Sequence, residues 1–509
     1  MQQITYQNKF NRTQARGIKL LPILSIWAAV LVSAFVFLIF VSDELNPIRE
    51  FYLFPWVLLT GVVVAMPNVY LWYRNSFHLF HPLTLAAWSY FLPAFFAGGL
   101  ILAAGFSEPY YLAFIQNIHY DLPLTMLVIM LGYIGLTIGF FLPLGRKLGE
   151  AAGKMLPNWE WKPENLFFPG FVLLILGFFN NIFGFVVGVL GYQKLAEIGQ
   201  YDGMLFLMTL LWLQASFLLW LVLFKRNKLD FNAVLTVGVL MVTGLLKALY
   251  AGNRGGLYQL FILIFMAYLL SGRQFKLKQG MIAGGSLILV IFIGMIYGTT
   301  FRSIKGTEEQ VGVDQYTENI FATFEEVGKR DNVKTLEQGF SSLAERLDTV
   351  SVLAVVVSNY EDLKPYEEGY GLDNNIWKDT ATFFIPRVVW ADKPVASEPR
   401  LYSELYFDYG ENSFPITPMG DLLRNYGFWG VFLGMALLGF VLRLIYVSLM
   451  DIQPGSIWRI TFFYMLLTSV SYEGFYGTII PYFFKVGFIS MIGILIVHFL
   501  VKKSVQPKF

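Results

Sequence analysis

The chain has 509 residues, of which 56% are hydrophobic, 17% aromatic and only 14% charged, and its mean hydropathy is +0.57. That composition excludes a water-soluble globular domain and a disordered chain. A net charge of +2 with no basic soluble module excludes nucleic acid as a partner, and the lack of cysteine excludes disulfides and thiolate metal sites.

A membrane span needs about 20 largely apolar residues. About twelve such runs follow one another, at roughly 20–42, 51–73, 82–105, 122–144, 165–190, 204–224, 231–250, 255–272, 280–299, 427–449, 457–472 and 477–500. Long continuous runs predict helices rather than the short alternating strands of a barrel. The first run is too long for a signal-peptide core and lacks a cleavage site, so it reads as a retained anchor. The expected fold class is an all-α polytopic membrane protein.

Charge sets the expected orientation. Lys9, Arg12, Arg16 and Lys19 precede the first run; Arg74, then Arg146, Lys147 and Lys154, then Lys225, Arg226 and Lys228, then Arg273, Lys276 and Lys278, and finally Lys502, Lys503 and Lys508 follow between alternate runs. The intervening loops carry Asp43, Glu44, Glu50, Glu108 and Asp121 instead. By the positive-inside rule both termini are cytoplasmic.

One connection is long. Residues 300–426 separate an N-terminal bundle, 1–299, from C-terminal membrane helices, 427–509, and topology puts this segment outside. It holds 22 acids against 12 bases, so each arginine in it calls for a reason. Short helices are expected there. In "SSLAERLDTVSVLAVVV" Leu343, Leu347, Val350 and Ala354 share a face at helical spacing. "SEPRLYSELYFDYG" starts with Ser397 as an N-cap and Pro399 in the first turn.

Five stretches could carry chemistry, each beside a blander reading. "KALYAGNRGGLYQL" joins two runs with almost no loop; its glycines expose backbone N–H groups beside Arg254, with Lys247 on the same face, a combination that binds anions. It equally suits a snorkelling arginine in a turn. Arg302 and Lys305 leave the ninth run, where lipid phosphates attract such residues anyway. Arg346 stands beside Glu345 and Asp348, which a solvated ion pair would explain. In "FFIPRVVWADKP" Pro386 should end a helix, leaving Arg387 projecting from the break, Trp390 as an interfacial anchor and Lys393 in a second rigid turn. Either this elbow clamps an anion or it only meets lipid headgroups; composition does not separate the two. In "FPITPMGDLLRNYGFWG" Thr417 caps a helix with Pro418 at its first position, Asp421 suits the helix dipole, and Arg424, three residues on, pairs with it. Glu473 lies in the tight turn between the last two runs. The four scattered histidines form no metal-ligand set, and no P-loop, dinucleotide fingerprint or GxSxG motif appears.

In order, "GNRGG", "TTFRS", "ERLD", "FIPRVVWADKP" and "TPMGDLLRNYGFWG", together with "HPLTLAAWSY" in the N-terminal half, resemble the Wzy-type oligosaccharide repeat-unit polymerases. The specific motifs fall within residues 250–430 and the elbow is the strongest. Where that family usually has Gly-Glu, this chain has Gly420-Asp421. The resemblance implies a GT-C-like enzyme of the bacterial inner membrane, with a large outer helical loop domain. Such an enzyme transfers a growing glycan from undecaprenyl pyrophosphate onto the next lipid-linked repeat unit, without a cofactor or metal. Its partners would be the lipid-linked oligosaccharide, membrane lipids, and a chain-length regulator and flippase of the same pathway. Arg254, Arg387 and Lys393 are then the expected pyrophosphate ligands, with Arg302, Arg346, Lys247 and Arg424 behind them. Arg254 and Arg387 are expected to converge on one phosphate. Asp421 is the expected base, followed by Glu473. Trp390, Tyr402 and Tyr406 would offer stacking faces for sugars, although tyrosines of an interfacial helix more often pack. A glycan ligase with the same donor, or a transporter of lipid-linked glycan, remains the alternative.

Overall fold

The computed structural model describes residues 50–105, 109–190, 201–226, 230–253, 255–273, 277–306, 312–329, 346–387, 389–390, 392–393, 397–410 and 413–505. Every regular element among them is helical. In chain order these are α1 (Phe54–Tyr73), α2 (Pro82–Ala103), α3 (Ile118–Phe141), α4 (Pro143–Met155), α5 (Phe167–Val186), α6 (Asp202–Lys225), α7 (Phe231–Tyr250) and α8 (Gly256–Leu270). They continue as α9 (Leu277–Lys305), α10 (Val313–Lys329), α11 (Thr349–Leu363), α12 (Asn375–Thr382), α13 (Pro399–Phe407), α14 (Thr417–Tyr446), α15 (Ile457–Thr468) and α16 (Tyr476–Val505).

Among the described residues nine helices are long and apolar enough to cross a membrane, and α8 and α15 are shorter apolar helices. Eleven of the expected runs therefore coincide with helices; the first, 20–42, lies outside the described residues, as do Lys9, Arg12, Arg16 and Lys19. The helices form because backbone polar groups in an apolar run have no other way to pair their hydrogen bonds. Proline marks several starts: Pro82, Pro143, Pro399 and Pro418 all stand at first-turn positions, where the missing N–H costs nothing.

The chain folds as two compact units that cut across its linear order. The first comprises Met1–Leu156, Ser341–Ile452 and Leu467–Phe484, the second Pro157–Phe340, Gln453–Leu466 and Lys485–Phe509. At the centre of the first, α3 lies against α14, with Gly135 and Gly139 set against the backbone of Phe432 and Ala436, and Gly439 against that of Leu136. Small residues at these points let two backbones touch, which is how apolar helices associate without a hydrophobic drive between them. The basic helix α4 packs along the far end of α14, where Gly145 meets Phe440 and Arg443, and Gly149 meets Val447. Helix α11 is buried all round from Thr349 to Val357, not on one face as its spacing suggested. It is wedged between α2, α3 and α14, and the Asp348 side chain caps it by accepting the Ser351 N–H at 3.0 Å.

In the second unit α5 packs on α6, α8 on α6, α7 and α9, and α10 folds back on α9. The α9–α10 corner closes over Phe185, Tyr297, Phe301, Tyr316 and Ile320. The amphipathic α10, with Tyr316, Ile320 and Thr323 on its buried face, was not anticipated from the sequence.

Candidate functional site

The start of α14 is built as its sequence dictates. Thr417 Oγ1 accepts the Gly420 N–H at 3.1 Å, the expected capping bond, while its own N–H donates to the Glu473 carbonyl at 3.2 Å. Thr417 holds φ at 62°, a strained value for a β-branched residue. Ten residues on, Gly427 at φ 66° and ψ −164° breaks the helix. The break leaves a short N-terminal helix carrying Asp421 and Arg424, ahead of the run from residue 428.

Arg424 is fully buried, and all five of its N–H donors are matched. Nε and Nη2 donate to Asp421 Oδ1 at 3.1 and 2.9 Å, and Nη1 to Glu367 Oε1 and the Leu372 carbonyl at 2.9 and 3.0 Å. The fifth bond runs from Nη2 to Asn375 Oδ1 at 2.6 Å. One loop, Glu367–Asn375, thus wraps the guanidinium with three acceptors. Tyr406 donates to Glu367 at 3.1 Å. Burial pushes the Glu367 carboxyl above its ordinary range, with Arg424 opposing, and burial followed by the Glu367 charge pushes the Tyr406 phenol up.

Asp421 is equally committed. Besides Arg424 it accepts from Asn425 Nδ2 at 3.3 Å, Asn375 Nδ2 at 3.3 Å and the Gly477 N–H at 3.1 Å. Gly477 lies in the first turn of α16, so the carboxylate meets that helix's N-terminus, where negative charge is favoured, rather than sitting in the first turn of α14 as expected. Glycine suits the position: a Cβ on Gly477 would stand 3.0 Å from Ile376 Cα and 3.2 Å from Asn375 Nδ2, a tight fit.

The network continues into the elbow. Asn375 Nδ2 donates to Ser397 Oγ at 2.8 Å, and Ser397 donates to Asp379 at 2.5 Å. Asp379 precedes the elbow and Ser397 follows it, so the elbow's described residues lie between two points tied to the Arg424 core. Within it the N–H groups of Val389 and Trp390 donate to the Pro386 carbonyl at 3.0 and 3.1 Å, and Lys393 Nζ to the Ile385 carbonyl at 3.2 Å. Helix α12 ends at Thr382, ahead of Pro386 as expected, and Arg387 is half-buried in the turn. Phe383 stacks on Phe484 of α16, ring centroids 5.2 Å apart.

The expected site residues separate accordingly. Asp421, Arg424, Glu473, Arg387, Lys393, Trp390, Tyr402, Tyr406 and Arg346 belong to the first unit, and Lys247 and Arg302 to the second. Arg254 lies outside the described residues, and its expected convergence with Arg387 with it. The expected Asp421–Arg424 pair is present. Both spend their polar atoms on this network: the Asp421 oxygens accept from Arg424, Asn425, Asn375 and Gly477, and the five Arg424 donors are matched. Tyr402 and Tyr406, 0% and 2% exposed, offer no stacking face; their rings pack 5.1 Å apart. Glu473 is exposed. Arg346 is exposed just ahead of α11. Lys247 stands 4.3 Å over the Trp212 ring, and Arg302 is half-buried near the end of α9. Helix α13 is capped by Glu398, whose side chain accepts the Arg400 N–H at 3.3 Å, and Ser397 is instead the elbow's fastening.

Sequence reasoning missed Glu367, Asn375 and Asp379. The only available signal was the i, i+4 spacing of Asn375 and Asp379, which puts both on one face of α12. Among the described residues no group of three His, Asp or Glu side chains gathers in a way that would hold a metal.

No curated protein and no solved structure matches the chain. The family described as a domain of unknown function (DUF8712) matches residues 173–505, which takes in the elbow and the whole Arg424 network, and the chain belongs to that family.

Proposed function

We propose that this protein polymerises lipid-linked oligosaccharide repeat units at the outer face of the bacterial cytoplasmic membrane. The growing glycan passes from undecaprenyl pyrophosphate to the next lipid-linked unit. In the reaction an acceptor hydroxyl attacks the anomeric carbon, the bond to the pyrophosphate oxygen breaks, and the hydroxyl proton passes to a carboxylate. Charge grows on the leaving pyrophosphate, and fixed cations in a water-poor site stabilise it. Arg387 and Lys393 take that role. With Asp421 occupied, Glu473 is the base.

The observation that carries this reading is the elbow: two cations on a proline-bounded loop whose base is tied to a buried ion network at the N-terminal end of α14. The other end of α14 packs against α4, which bears Arg146, Lys147 and Lys154. Beyond the break at Gly427, the helix from Phe428 to Arg443 rises about 22 Å at about 1.5 Å per residue, much of the roughly 30 Å hydrocarbon core of a bilayer. That rise supports the orientation in which the basic loops and termini are cytoplasmic and the elbow lies outside. About twelve spans, a GT-C-like arrangement, and a flippase and chain-length regulator as pathway partners belong to the same proposal.

The test is the glycan profile of a deletion strain complemented with Arg387→Ala. A polymerase defect leaves single repeat units on their final anchor. Long chains retained on the carrier would identify a ligase, and an unchanged ladder would refute the elbow's role. Purified protein that moves lipid-linked glycan between leaflets and never lengthens it would refute the polymerase.

A further inference from the structure

The elbow carries a second feature that glycan transfer does not call for. Trp377 and Phe384 are each 66% exposed, Val389 78% and Trp390 37%. Outside the spans such residues gain nothing from facing water, and a cluster of them marks an interaction surface. Two further observations decide its partner. The cluster is continuous with a lipid-facing exterior: Phe383, next to Phe384, stacks on Phe484, which is 61% exposed on the membrane-crossing α16. The charges interleaved with the apolar groups are Arg387, Asp392 and Lys393, basic on balance. Tryptophan beside basic side chains is the composition that settles at the headgroup level, apolar parts inward and cationic ends at the phosphates.

We infer that the tip of the elbow is inserted in the bilayer interface, with Phe384, Val389 and Trp390 among the acyl chains and Arg387 and Lys393 at the depth of the lipid phosphates. The partner is the lipid surface itself. The pinned base gives the insertion its purpose, because a loop fastened at Asp379 and Ser397 enters the interface at a fixed depth. A ligase or transporter would carry the same tip, so this inference stands or falls apart from the polymerase reading.

The chain has no cysteine, so single cysteines can be labelled without background. Val389→Cys in the full-length protein is labelled with an environment-sensitive fluorophore and reconstituted into phosphatidylethanolamine–phosphatidylglycerol vesicles. Leu433→Cys, on the 61% exposed Leu433 of α14, gives the lipid reference; Glu368→Cys, on an exposed turn of the same unit, gives the water reference. The expected result is quenching at 389 by spin-labelled lipid to at least half the extent seen at 433, with little quenching by iodide. Iodide quenching equal to that at 368, without lipid quenching, overturns the inference. Phe384→Cys repeats the measurement should Val389→Cys fail to fold, and it must give the same answer.

Discussion

Arg424 and Arg387 are 37 residues apart in one compact unit, and they answer the cost of a guanidinium near a membrane in opposite ways. Arg424 is buried and spends all five donors on Asp421, Glu367, Leu372 and Asn375. Arg387 is half-buried in a turn at the protein surface. The first is a fastening and the second a tool. A buried ion pair adds little net stability against an apolar substitute, yet breaking one strands the remaining charge. Such a cluster therefore specifies one arrangement of the chain, here the register between α12, α14 and α16 that sets where the elbow stands.

The widest expected gap between the two comes from removing each side chain. Arg424→Ala strands Asp421 and Glu367 and should cost about 3–5 kcal/mol, seen as lost yield and a lowered melting temperature in detergent. Arg387→Ala should melt like the parent while the proposed transfer slows by about 10²–10³-fold, the usual loss when one charge-stabilising donor is removed. If Arg424→Ala folded normally, or Arg387→Ala unfolded the protein, the division between fastening and tool would be wrong. Glu473→Gln sharpens the tool side: stability should change by less than about 0.5 kcal/mol, with a rate loss of about 10²-fold or more if Glu473 is the base. Gly477→Ala probes the fastening more gently, pressing a Cβ against Ile376 and Asn375 at a cost of about 1–3 kcal/mol. Ser397→Ala should be the mildest in stability, about 1 kcal/mol, and should raise proteolysis within the elbow more than elsewhere.

The helices were legible because a long apolar run in lipid has one backbone solution. The start of α14 was legible for local reasons too: Thr417, Pro418 and the i, i+3 pair of Asp421 and Arg424, while the break at Gly427 was not read, only that the tenth run begins there. What Asp421 and Arg424 serve was not legible. Their partners Glu367, Leu372 and Asn375 lie 46 to 57 positions away, and no local spacing reports a contact at that range. A carboxylate entering a span looks the same in sequence whether its lone pairs are open or filled. Tyr402 and Tyr406 pack, the commoner fate expected of tyrosines in such a helix. An amphipathic side chain suits a sugar-facing surface, but here the Tyr406 hydroxyl meets Glu367 inside the core. Ser397 was one position off as a cap because its hydroxyl is taken by Asp379, leaving Glu398 to cap α13.

The most direct test compares two purified variants, Arg387→Ala and Asp421→Asn, for the rate at which each lengthens lipid-linked repeat units in vesicles, counted per folded molecule. With the elbow as tool and the network as fastening, folded Arg387→Ala is slowed by about 10²–10³-fold. Asp421→Asn yields less folded protein, but what folds works within about tenfold of the parent. The reverse, with Asp421→Asn folded and inactive and Arg387→Ala fully active, would place the chemistry on Asp421 and contradict the assignment.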